Sequence, residues 1–132
     1  MRNAVHDCIE LCWKARTECQ KALYTHCVFL GGKHTAPEHV KVLTDCMEIC
    51  QTAADFMTRQ SSLHAEACAA AVAICEACAD SCEELGTDHM LVCADACRKC
   101  AKACDEICSI ELSMQEYVMN DPAVTQHNVR TN

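Results

Sequence analysis

Along four stretches of this chain, apolar or small side chains return every three or four residues and charged ones fill the positions between. That period keeps one face of an α-helix away from water. A 4-3-4-3 step from Cys8 leads inward through Cys12, Ala15, Cys19, Ala22 and His26. The second stretch gives His39, Leu43, Cys46, Cys50, Ala53 or Ala54, and Met57; the third gives His64, Cys68, Ala71, Cys75, Cys78 and Cys82. The fourth gives Met90, Cys93, Cys97, Cys100 and Cys104, with Cys108 slightly off phase. The opposite faces carry Glu10, Arg16, Glu18, Lys21, Glu48, Glu76, Asp80, Glu83, Asp95, Arg98, Lys102 and Asp105, as solvated faces should.

Breakers fix where these stretches begin and end. The first helix is predicted from about Asn3 to Leu30, closed by Gly31-Gly32. Thr35-Ala36-Pro37-Glu38 reads as a capping box with Pro in the first turn of a second helix reaching about Arg59. Ser61-Ser62 can cap a third, to about Leu85, and Gly86 stops it. Thr87 or Asp88 opens a fourth that runs to about Asn120, before Pro122. Connections this short make successive helices antiparallel. The expected fold is therefore all-α, an up-down-up-down four-helix bundle over residues 1–120, followed by a frayed polar tail at 121–132.

What changes the picture is the identity of the inward residues: apart from Leu43 they are thiols, small residues, or His and Met near the ends. The chain has fifteen cysteines in 132 residues. Free cysteine can serve as a small hydrophobe, but a Cys/Ala stripe buries less apolar area than a leucine stripe, so burial alone is a poor reason for it. A disulfide scaffold is disfavoured by the low count of three Gly and two Pro, and by geometry. Cβ atoms at i and i+4 lie about 5–6 Å apart, whereas a disulfide needs about 3.8 Å. Two such sulfurs can still share a metal at about 2.3 Å from each. The opening Met1 to Cys8 contains no apolar leader run, so the expectation is a chain kept in the reducing cytoplasm. Pairs such as Cys75-Glu76-Ala77-Cys78 lie inside longer stripes, unlike a redox Cys-x-x-Cys opening a helix beside a strand.

Net charge is −8 with no basic cluster and 4% aromatic residues, which argues against nucleic acid as a partner. No apolar run approaches the ~20 residues of a membrane span. No Ser-His-Asp set, Gly-rich phosphate loop or carboxylate pair points to catalysis, so no enzymatic role is expected. Soft thiolates suit Cu(I), Zn(II) or iron–sulfur clusters. Several Zn(II) ions sharing fifteen thiolates would leave net negative charge in a low-dielectric core, and iron–sulfur ligands usually come from loops. Cu(I) takes two or three sulfurs, and near one ion per thiolate the core is almost neutral. The favoured reading is storage of multiple Cu(I) ions, and a metallothionein-like zinc or redox buffer is the alternative.

Thr44-Asp45-Cys46-Met47-Glu48-Ile49-Cys50, Ile74-Cys75-Glu76-Ala77-Cys78-Ala79-Asp80-Ser81-Cys82 and the run from Cys93 to Cys104 resemble the cytosolic copper storage proteins, four-helix bundles lined with cysteine. The likeness covers roughly residues 4–112. It implies that Cys8, Cys12, Cys19, Cys27, Cys46, Cys50, Cys68, Cys75, Cys78, Cys82, Cys93, Cys97, Cys100, Cys104 and Cys108 are copper ligands, and that the chain forms a homotetramer. Copper ions are then the partner, with a copper chaperone or efflux regulator at either end of the traffic. Ala15, Ala22 and Ala71 stand where the family would place cysteine, so capacity below that of relatives is expected. The bundle topology brings the 31–35 and 86–88 loops to one end, gathering His26, His34, His39, His89 and Met90 into a candidate metal mouth. His64, Met57 and Met114 collect at the other end, and His6 and His127 read as surface residues.

Overall fold

The computed structural model describes residues 3–119, with side chains through residue 110. The expected tail at 121–132, with His127, lies outside the described residues, as does the side chain of Met114. The elements are α1 (Ala4–Ala22), a π turn (Leu23–Cys27), the short α2 (Val28–Leu30), a 3-10 turn (Gly32–Thr35), α3 (Pro37–Thr58), α4 (His64–Leu85) and α5 (Asp88–Met119). α1, the π turn and α2 run on without a break and form the first arm of a four-helix bundle. α1 packs on α3 and α5, and α4 packs on the same two, so α1 faces α4 diagonally across the core. Cys8 meets Cys104 while Cys19 meets Cys93, which makes α1 and α5 antiparallel.

Local chemistry explains most boundaries. The Asn3 carboxamide oxygen accepts from the amides of Val5 at 2.9 Å and His6 at 3.2 Å, covering two of the donors a helix start leaves open. Gly86 ends α4 in the left-handed region at φ 73°, where a Cβ would be strained. The capping box expected at Thr35 does not form: Thr35 lies in the 3-10 turn, its hydroxyl donates to the Gly32 carbonyl, and Ala36 takes the cap position before Pro37. Proline has no amide hydrogen to leave unsatisfied, so this start tolerates a cap without a side-chain acceptor. Ser61 likewise shapes the preceding turn, its hydroxyl accepting from the Leu63 amide, and Leu63 holds the cap position of α4.

The inward face of α3 is the expected one throughout: His39, Leu43, Cys46, Cys50, Ala53, Ala54 and Met57 are buried. In α4 the same holds from Cys68 to Cys82, while His64 is half-buried, its Nδ1 2.9 Å from the Ser61 carbonyl. α5 turns Ile107 inward beyond Cys104, which leaves Cys108 only partly covered, as its phase suggested.

One inward and one outward assignment in the first arm are corrected. The regular step placed His26 in the core, but the π turn adds one residue to the helical register. Leu23 and Cys27 are buried instead, and His26 moves to the rim. Glu18, expected on a solvated face, is buried; its carboxylate pairs with Lys14 Nζ at 3.1 Å and Lys21 Nζ at 3.6 Å, whose aliphatic stems cover it.

Candidate metal centre

All fifteen cysteines are unpaired by disulfides, and all but Cys108 are buried. Because each helix presents its thiols at three- and four-residue intervals, facing helices interleave sulfurs into a column along the bundle axis. Sulfur contacts of 3.6–3.9 Å connect Cys8, Cys104, Cys12, Cys100, Cys50, Cys46, Cys97, Cys19 and Cys93 in one unbroken series. Four groups are compact enough to enclose an ion, with every sulfur in a group within 4.8 Å of the others: Cys19/Cys78/Cys93/Cys97, Cys8/Cys68/Cys104, Cys12/Cys100/Cys104 and Cys46/Cys50/Cys75.

Protons are shared unevenly in this column. Cys93 donates to Cys19 and Cys100 donates to Cys12, each at 3.6 Å, while in the sulfur pairs Cys8–Cys104, Cys12–Cys104, Cys19–Cys97 and Cys46–Cys97 either atom can donate. Hydrogen bonding to Cys100, with burial adding to it, raises Cys12, Cys50 and Cys75 above the usual thiol range. A soft cation arriving there displaces protons as the sulfurs become thiolate ligands.

The end formed by the 31–35 and 86–88 loops has two tiers. In the inner tier, Cys27 Sγ lies 3.6 Å from His39 Nε2 and 3.9 Å from Met90 Sδ, three soft donors from three elements, all buried. Ser81 Oγ sits 2.7 Å from His39 Nδ1 and so aims the other ring nitrogen at Cys27. A surface cavity of about 210 Å³, lined in part by Lys33, Glu38, His39, Ser81 and Glu84, opens onto this histidine. In the outer tier, His26 stacks on His89 at 4.4 Å between ring centroids and meets His34 edge-on at 5.1 Å. His26 Nε2 is 2.9 Å from the Thr87 hydroxyl. Burial, helped by the neighbouring His89 and His34, lowers the His26 pKa, and burial likewise lowers that of His39. Both are therefore neutral donors near pH 7. His6, as expected, is exposed and faces Glu10 at 3.3 Å.

At the opposite end Cys68 Sγ contacts Met57 Sδ at 3.7 Å, and Cys108 donates to the Ala65 carbonyl at 3.3 Å. The supporting roles of Ser81 and Thr87 were not foreseen from the sequence: each partner lies 42 or 61 residues away, and nothing local marks the pairing.

Residues 1–109 match the family model of the copper storage proteins. The chain belongs to that family. It is 34% identical over 98 residues, 72% of its own length and 91% of the relative's, to the cysteine-rich protein YhjQ of Bacillus subtilis (strain 168). Among solved structures it is similar to the Cu(I)-bound copper storage protein BsCsp3, with a TM-score of 0.73 and 31% identity over 79% of this chain and 97% of that one. It is also similar to a cytosolic copper storage protein from Streptomyces lividans captured with five coppers, with a TM-score of 0.68 and 26% identity over 80% and 92%. Copper storage is the function of that family, and the buried thiol column is where this chain has the chemistry to hold the metal.

Proposed function

We propose that the chain stores Cu(I) without catalysing a reaction, filling its column to about one ion per thiolate, with the fifteen cysteines as ligands. The unbroken series of sulfur contacts carries this reading. Cu(I) coordinated by two or three thiolates can pass to a neighbouring sulfur less than 4 Å away without ever becoming a bare ion in an apolar core. His26 and His39, both neutral near pH 7, suit the entry end together with His89 and Met90 as donors to a soft ion. A cytosolic location is supported by the description of the Streptomyces lividans relative. A homotetramer is supported by the family likeness and by the exposed Trp13, Tyr24, Val28 and Phe29 on the first arm. Delivery by a copper chaperone, or release toward an efflux regulator, would take place at the same end.

The test is an anaerobic titration of the reduced, metal-free protein with Cu(I) against a chromophoric Cu(I) chelator. Retention of roughly one ion per thiolate supports storage; saturation after a few equivalents refutes it. Displacement of bound Cu(I) by Zn(II) would favour the zinc-buffer alternative.

A further inference from the structure

The four thiol groups are not equivalent. Three hold three sulfurs, whereas Cys19, Cys78, Cys93 and Cys97 hold four, all fully buried and drawn from α1, α4 and α5. A tetrahedral tetrathiolate centre with bonds of about 2.3 Å places its sulfurs about 3.8 Å apart. Cys19 lies 3.8 Å from Cys78, 3.7 Å from Cys97 and 3.6 Å from Cys93, and the remaining pairs lie within 4.8 Å. Three edges of the tetrahedron thus stand near their final length before any ion arrives. We propose that Cys19, Cys78, Cys93 and Cys97 form a preorganised site for a single divalent ion of tetrahedral, thiophilic character, of the Zn(II) class, within the copper column.

The other groups do not offer this. Cys46, Cys50 and Cys75 close a triangle with edges of 3.6–3.9 Å, close to the ~4.0 Å that trigonal coordination needs at the same bond length. A divalent ion there would lack its fourth ligand, and the site is buried away from water. Charge sets the limit at one ion: M²⁺ with four thiolates carries −2, and a second such centre would double the uncompensated charge in the core. Cys46 Sγ lies 3.7 Å from Cys97 Sγ, where either atom can donate, so a neighbouring S–H can support the bound thiolates. Binding releases to solvent whatever protons the four ligands still hold, and no sulfur changes oxidation state. The same sulfurs serve Cu(I) when the store is full, so the divalent ion competes with copper for the middle of the column.

Co(II) is the probe, added anaerobically to the reduced, metal-free full chain. We expect the intense visible bands of tetrahedral sulfur-ligated Co(II), saturating at one equivalent and bleached by Zn(II). Cys78→Ala should lose these bands, while Cys12→Ala, outside the tetrad, should keep them. A pale six-coordinate spectrum, saturation at several equivalents, or bands that survive Cys78→Ala overturns the proposal. The first two readouts use the unmodified chain, so they decide even if the variant folds poorly. Copper capacity is measured separately: low Cu(I) capacity with one tetrahedral Co(II) would refute the store and leave this site standing.

Discussion

His39 shows how a single side chain can be set for metal transfer. Ser81 occupies one ring nitrogen at 2.7 Å and Cys27 faces the other at 3.6 Å, so the ring plane is set before copper arrives. Replacing His26, His39, His89 and Met90 together by apolar residues should slow Cu(I) uptake and chelator-driven removal in stopped-flow measurements while leaving total capacity nearly unchanged. Unaltered rates would make these ordinary helix-end residues, and loss of most capacity would place them in the store itself. Ser81→Ala should slow exchange less than His39→Ala, since it loosens a donor without removing it. The lowered pKa values of His26 and His39 also set a pH dependence. The unfolded chain takes up these protons near 6.5 and the folded chain only at lower pH, so unfolding gains protons in that window. Stability is complete above about pH 6.5 and declines as pH falls through the folded values. Urea midpoints should drop from about pH 7.5 to about pH 5, and by less in the His26→Ala/His39→Ala double variant.

At the level of elements, periodicity made α3, α4 and most of α5 legible, because on an uninterrupted α-helix sequence spacing and facing direction are the same information. Leu43, the largest fully buried side chain, was visible as the one branched aliphatic on the stripes. Leu43→Ala should cost about 2–5 kcal/mol in urea unfolding, more than Cys→Ala changes nearby. Apart from the buried Glu18, the first arm was legible up to Ala22 and wrong beyond it, since a π turn changes the register without any residue type that announces it. Cys27 therefore appeared only through the family likeness, and His26 took its place in the count. Capping was misread where side-chain acceptors were present but unused. Asn3→Ala should cost about 0.5–2 kcal/mol, while Thr35→Ala, whose hydroxyl meets only the Gly32 carbonyl, should cost much less. A comparable loss for both would restore the capping box.

For the molecule as a whole, the stripes made the ligand column readable, whereas its grouping into one tetrad and three triads depends on how α1, α3, α4 and α5 interleave, which spacing within one helix does not contain. The bundle should be helical before metal arrives, because its ends are capped and its packing needs no ion to bridge it. Circular dichroism of the reduced apo-protein should show this, and a coil spectrum that becomes helical only with copper would refute it. A core built of Cys and Ala has a further effect once the empty and filled forms are compared as substrates for degradation. Little apolar area separates the empty form from its open states, whereas each bound ion adds its binding free energy to the folded side alone. Cargo thus sets lifetime: at equal protease concentration, empty copies should be cut many times faster than filled ones, so the pool that survives is the pool in use.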